Sequence, residues 1–255
     1  MRIAACLLTS ILWGMPAAHA ATEEIPKHLA YARELVANVK SSNNQYKLGA
    51  SLIRFPGDKD SAGYAVRADC SGFLLAIFAR SGYKTRANMA YLGDPKNRKR
   101  PRAEDFVYSF EQGKGFARIR GVENIRPGDL LAHAMLEAAD KAYTGTTGHV
   151  FLIDSVPRRI AGGNPEVPGT TQYEVLVIDS NEEHVGADDT RLAFGPRGIA
   201  GLGRGTIRLY ADAQGELVGW ARTFRNTRNF FSYDPRFPSN TKLRKAAVGR
   251  VQAGG

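Results

Sequence analysis

Cys70, His149 and Asp179 occur along the chain in an order and setting that suit nucleophilic attack on a carbonyl. Cys70 stands in Asp69-Cys70-Ser71-Gly72-Phe73, where a polar, Gly-containing stretch meets an apolar run. A thiol attacks as its thiolate, and the partial positive charge at the first turn of a helix favours that form. The bland alternative is a small buried hydrophobe. Asp69 argues against plain burial, because the helix is entered through a charge. Beyond residue 20 the chain has four histidines that could serve as the base: His28, His133, His149 and His184. His149 has the best context, following Thr146-Thr147-Gly148 and opening the apolar strand Val150-Phe151-Leu152-Ile153. His28 is expected on the surface of an amphipathic helix and His133 on a strand, facing solvent. His184 lies in the acidic loop Asn181-Glu182-Glu183-His184. An orienting group must bond the far nitrogen of the imidazole. Asp179 ends the next β-rich run and reaches that nitrogen if its strand lies beside that of His149; otherwise it caps a strand end. Asp154, near the other end of the His149 strand, is a poorer candidate. No close spacing of Cys, His, Asp and Glu marks a metal site, so no cofactor is expected.

The elements that must position these groups are legible from periodicity. Residues 25–40 carry Leu29, Ala32, Leu35, Val36 and Val39 at helical spacing, with Pro26 at a first-turn position. Residues 46–66 are rich in Gly, Asp and Ser and predict a long loop. Residues 71–80 are apolar enough for a buried helix, and residues 103–112 predict another, closed by Gly113. Strands follow: Leu130-Leu131-Ala132 after the turn Arg126-Pro127-Gly128-Asp129, then 150–153, 173–178, and a hairpin of 206–210 with 217–223 around Asp212-Ala213-Gln214-Gly215. Helices first and an antiparallel sheet after them predict an α+β fold. One domain over residues 21–234 is large enough to bury a core without disulfides. The basic, polar segment 235–255 is expected to be a mobile tail.

Residues 1–20 have the parts of an export signal: Arg2, an apolar run to Met15, and Ala18-His19-Ala20 as the cleavage pattern. Cleavage near Ala20 removes Cys6 and leaves Cys70 without a disulfide partner. The expected location is periplasmic or secreted. No other segment approaches the roughly 20 apolar residues of a membrane span. The net charge of +10 draws the chain to anionic surfaces. Its densest run, Lys96-Asn97-Arg98-Lys99-Arg100-Pro101-Arg102, reads as a solvated loop. It lacks the interleaved aromatics of single-strand binders, so no nucleic-acid partner is expected.

The succession Asp69-Cys70-Ser71-Gly72-Phe73, then Arg126-Pro127-Gly128-Asp129-Leu130-Leu131, then Thr147-Gly148-His149-Val150 resembles the NlpC/P60 superfamily of cell-wall cysteine peptidases. That resemblance implies a papain-like α+β core, with N-terminal helices packed on a central antiparallel sheet. It implies hydrolysis of an amide bond in peptidoglycan stem peptides, commonly that between D-glutamate and a diamino acid. Peptidoglycan or muropeptides would be the partner. Cys70 would be the nucleophile, His149 the base, and Asp179 the third polar group, a place often held by histidine in the family. The backbone N–H of Cys70 would help form the oxyanion hole. Asp69 and Ser71 fall where family members contact substrate. The family's Tyr-x-Trp-Gly-Gly-like stretch has no full match; Tyr46 and, closer to the cysteine, Tyr64 are the candidates for its tyrosine. Amidase or acyltransferase chemistry on the same fold, or a non-catalytic basic wall-binding protein, are the alternatives.

Overall fold

The computed structural model describes residues 24–59, 61–92, 96, 100–135, 147–195, 198–224, 230–232, 234–237 and 244–252. Residues 1–20, where an export signal is expected, and residues 97–99 of the basic run lie outside them. The fold is α+β with a mostly antiparallel sheet.

Helix α1 (Lys27–Asn38) starts behind Pro26 and buries Leu29, Ala32 and Leu35 at helical spacing. His28 shares that inner face and is 2% exposed, which corrects its expected surface position. It packs edge-on against Phe78 and Tyr83 and bonds the carbonyl of Gly128 at 2.8 Å. Three short strands follow: β1 (Asn44–Tyr46), β2 (Ser51–Arg54) and β3 (Ala65–Ala68), in the order β1-β3-β2. They replace the long loop expected over 46–66. Each is three or four residues long, too short for period-2 alternation to stand out among Gly, Asp and Ser.

Helix α2 (Cys70–Arg80) begins one residue before the expected start and buries Phe73, Leu74, Ile77 and Phe78. Each such side chain contributes about 1.5–3 kcal/mol relative to exposure. The short α3 (Thr85–Asn88) leads to α4 (Ala103–Gln112), which has the expected bounds and closes at Gly113 in the left-handed conformation.

The main sheet is built from β4 (Phe116–Ile119), β5 (Leu130–Met135), β6 (Gly148–Ile153), β7 (Arg158–Ile160), β8 (Thr171–Asn181), β9 (Gly201–Ala211), β10 (Leu217–Arg222), β11 (Phe231–Ser232) and β12 (Arg244–Val251). Its order is β11-β10-β9-β8-β6-β5-β12-β4, with β7 on β8, and every pairing is antiparallel. The expected hairpin is β9–β10. Alternation divides each strand between two cores. Leu130, Ala132, Val150, Leu152 and Ile178 pack with α1, α2 and α4. Leu131, Phe151, Ile153, Val175, Val177 and Leu209 form the other core, with Trp220. On that second face the sheet curls strongly: His133 on β5 stacks on Trp220 of β10 at 5.4 Å, although β6, β8 and β9 lie between them in strand order.

Strand β12 corrects the expected mobile tail. It sits between β5 and β4, with Val248 opposite both Leu131 and Ile119. Ala247 and Val248 are buried, and Arg250 donates to Asp129 at 2.7 Å. The sequence hides this strand because its two neighbours come from more than a hundred residues upstream. Its basic flanks also suggest a tail when taken alone. Ending the chain after residue 243 is therefore expected to strip two strands of their partner and abolish cooperative thermal unfolding, read by circular dichroism.

Candidate active site

The local sequence at Asp69 sets the position of Cys70. Asp69 caps α2, its Oδ1 accepting from the N–H of Gly72 at 2.8 Å, and its Oδ2 accepts from the N–H of Gly49 at 2.8 Å. Such a cap contributes about 1 kcal/mol and fixes where the helix starts. Arg100 then clamps the same carboxylate with both Nη atoms and bonds the hydroxyl of Ser71 at 2.9 Å. The guanidinium neutralises a carboxylate that would otherwise stand uncompensated beside the sulfur. Arg100 is thus more than part of a solvated loop. Asp69 and Ser71, read from the sequence as substrate contacts, are buried, and their polar atoms hold the helix start and Arg100. At Gly72 the surrounding backbone leaves no room for a side chain. A Cβ there would lie 2.0 Å from the carbonyl oxygen of Ala50, so the glycine lets the β1–β2 connection close over the helix.

Gly148 has φ +141°, and a Cβ on it would meet the carbonyl oxygen of His133 at 1.9 Å. This close approach of backbones brings β6 onto β5 and sets His149 directly opposite His133. His149 shares its strand face with Phe151, against which its ring packs at 4.5 Å. Its Nε2 donates to Oδ2 of Asp179 at 2.8 Å. That leaves Nδ1 for the thiol of Cys70, whose charge acts on the ring. The expected adjacency of strands holds, since β6 pairs with β8 at Leu152↔Ile178 and Ile153↔Val177. The catalytic-type order of the three residues is thereby matched in space, from the start of α2, the start of β6 and the end of β8.

Burial alone would make His149 a weaker base, but the negative charges of Cys70 and Asp179 and the hydrogen bond to Asp179 outweigh it and raise its pKa to about 9. Its side chain is 15% exposed, so the ring is shielded without being sealed. Asp179 is fully buried. Burial pushes its carboxyl up, but Arg191 and His149 together hold it below the usual carboxylate range.

Arg191 is the residue that sequence reasoning missed. Its side chain is fully buried. It donates to Oδ1 of Asp179 at 2.8 Å, to both oxygens of Asp189 at 2.7 and 2.9 Å, and to the carbonyl of Gly201 at 3.1 Å. Gly203 on β9 leaves room for it, because a Cβ there would lie 2.4 Å from its Nε. The signal was present in Asp189-Thr190-Arg191 and Gly203-Arg204-Gly205, but nothing local says that this arginine turns inward.

The remaining candidates fall elsewhere. Tyr64 bonds Glu34 at 2.9 Å and packs on Phe55, away from the cysteine. Tyr46 is the candidate that lies beside His149. It lines a cavity with His149, and burial plus the negative charges of Cys70, Asp69 and Glu182 push its phenol pKa up, so it stays a neutral donor. His133, expected to face solvent, is 4% exposed and sandwiched by rings. His184 packs on Phe224. Asp154 is ion-paired to Arg33 and Arg204. Among the described residues, no group of three or more His, Cys, Asp or Glu side chains converges to hold a metal ion. No helix among them is long and apolar enough to cross a membrane.

Fold and site together define an α+β protein with a buried cysteine beside a hydrogen-bonded histidine–aspartate–arginine chain. No protein-family model matches the sequence, and no solved structure is significantly similar to it. The chain is 28% identical over 210 residues to uncharacterized protein R653 of Acanthamoeba polyphaga mimivirus, covering 77% of this chain and 87% of that one.

Proposed function

We propose that this protein is an exported cysteine hydrolase of NlpC/P60 type that cleaves an amide bond in peptidoglycan stem peptides. The observation that carries the reading is the convergence of Cys70, His149 and Asp179, 109 positions apart at the ends, with His149 bonded to Asp179 and under the charge of Cys70. The resemblance of the three motifs supplies the substrate class. In the reaction, His149 holds the proton of Cys70 and the sulfur attacks the scissile carbonyl. The backbone N–H of Cys70 helps stabilise the oxyanion. His149 then protonates the departing amine, giving a thioester. Water, deprotonated by His149, adds to the thioester, releasing the acid and regenerating Cys70. Asp179 fixes the ring so that Nδ1 faces the sulfur, and Arg191 fixes Asp179.

The test is to incubate the protein and Cys70→Ala with peptidoglycan and with soluble muropeptides, and to identify products by mass. New fragments carrying one added water, from the unsubstituted protein alone, support the hydrolase. Fragments joined to an added amine instead assign acyl transfer. Wall binding without products from either form leaves a binding protein.

The pH profile gives an independent check. An imidazolium with a pKa of about 9 predicts that kcat/KM falls on the alkaline side through that pH, as the proton needed by the leaving amine is lost. The same shift contributes stability below pH 6.5, and this is lost as the pH rises through about 9. Asp179→Asn removes one of the two anions that raise the value. The alkaline limb should then move down by about 1–3 units. A limb that stays in place would detach Asp179 from the titrating group.

A further inference from the structure

The cavity beside His149 has a volume of about 270 Å³, and Tyr46, His133, Phe151, Trp220 and Phe231 supply aromatic rings to its wall. Trp220 is fixed there by its neighbours. Phe231 stacks on one side at 4.4 Å, His133 on the other at 5.4 Å, and Phe151 meets it edge-on at 5.2 Å. Its indole N–H is buried and has no hydrogen-bond partner among the described residues. Two positions along β10, and so on the same face of the strand, Arg222 lines the same cavity. One of its Nη atoms is held by Glu183, while its Nε–H is also buried without a partner among the described residues. Buried polar groups in folded proteins are nearly always bonded, so two orphaned donors on one wall are a specific demand for an acceptor. One of them belongs to a cation, and neither can rotate away: the indole is clamped by three rings and the guanidinium by Glu183.

We propose that this pocket binds a carboxylate of the substrate, accepted by Trp220 Nε1–H and Arg222 Nε–H, with the rest of the substrate group lying against Phe151 and Phe231. The inference rests on the hydrolase reading for what the pocket serves, and it names a feature the cleaved molecule must carry close to the scissile amide. A cationic donor beside an indole N–H favours a charged oxygen pair over a neutral amide oxygen. Glu182 also contributes to the cavity wall but is exposed, so solvent screens its charge.

The protein has two tryptophans, Trp13 and Trp220, so in the full chain carrying Trp13→Phe the emission reports this pocket alone. The probes are N-acetylglutamate α-amide and N-acetylglutamine α-amide, which differ only in carboxylate against carboxamide. Saturable change in Trp220 emission is expected with the acid, at an affinity about tenfold or more above that of the amide. Arg222→Gln should erase that preference. Arg222→Lys, which keeps a charge but has no Nε–H, should reduce it and serves if the glutamine variant does not fold. Equal affinity for both probes, no saturable change with either, or a preference that survives Arg222→Gln overturns the proposal. The titration is repeated in Cys70→Ala, which separates the two readings. Discrimination there, with no wall fragment cleaved by the cysteine form, sinks the hydrolase and keeps the pocket. Cleavage that ignores whether substrate carboxylates are amidated, with no discrimination in the titration, sinks the pocket and keeps the hydrolase.

Discussion

Replacing Cys70 by alanine is expected to lower amide cleavage about 10⁴-fold or more, with a change in stability of about 1 kcal/mol or less. The two parts of that expectation have different origins. On the hydrolase reading, loss of activity follows from removing the nucleophile, since Cys70 is a free thiol and the Nε2 of its proposed base, His149, is committed to Asp179. The small change in stability follows from how little is deleted. Sγ is a single atom at the first position of α2, and the packing of that helix comes from Phe73, Leu74, Ile77 and Phe78. A shift in melting temperature of about 2–4 °C at most should accompany the loss. His149→Ala should cost about as much activity as Cys70→Ala, and the double variant should be no worse than either, because the pair acts as one unit. Activities that multiply would mean that the two residues work separately. Steady-state rates on one muropeptide with all three variants decide between these outcomes.

Arg191→Met is expected to cost about 3–5 kcal/mol of stability, the largest effect of any single substitution away from the sulfur. Methionine fills much of the arginine's volume but leaves Asp179 and Asp189 behind, and the side chain of Asp179 is fully buried. With the cation gone, burial becomes the dominant influence on Asp179, and its carboxyl rises from below its ordinary value to above it. The sign of the pH dependence then reverses for that group. In the unsubstituted protein its depressed pKa contributes stability above about pH 3.8, lost as the pH falls through the folded value. In Arg191→Met the raised carboxyl binds a proton more readily folded than unfolded, so acidification helps the fold. The difference in melting temperature between the two proteins should therefore be larger at pH 8 than at pH 5. A difference that is constant with pH would show that the arginine contributes packing rather than charge. Where the variant folds, kcat should fall while KM changes little, since Arg191 acts on the orientation of Asp179 and touches no substrate.

The pocket beside His149 ties these expectations to specificity. Its fixed indole and its arginine lie on β10, whereas Cys70, His149 and Asp179 lie on α2, β6 and β8. If the hydrolase and pocket proposals both hold, substitutions at Arg222 should alter which amide is cleaved more than how the thiol reacts.

The amino-acid sequence by itself determined the succession of helices before an antiparallel sheet, the helix start at Cys70, and the neighbouring of the strands that carry His149 and Asp179. Each of these rests on interactions within a few residues or between strands adjacent in the sheet. Asp69 caps its own helix, α4 ends at its own glycine, and the strand ending in Asp179 is the β-rich run next after that of His149. The inward turn of Arg191, the clamp of Arg100 on Asp69, the placement of Tyr46 rather than Tyr64 beside His149, the burial of His28 and His133, and the place of β12 inside the sheet were decided only by the tertiary structure. In most of them a polar or basic residue, which alone favours solvent, meets a partner supplied by a distant segment; Arg191 meets Asp179 as well as its neighbour Asp189. The free energy that turns it inward comes from that partner: two carboxylates for Arg191, the cap of α2 for Arg100, the aromatic stack of β10 and β11 for His133. No local pattern encodes such a partner, because it exists only once the sheet has curled and the helices have closed against its other face.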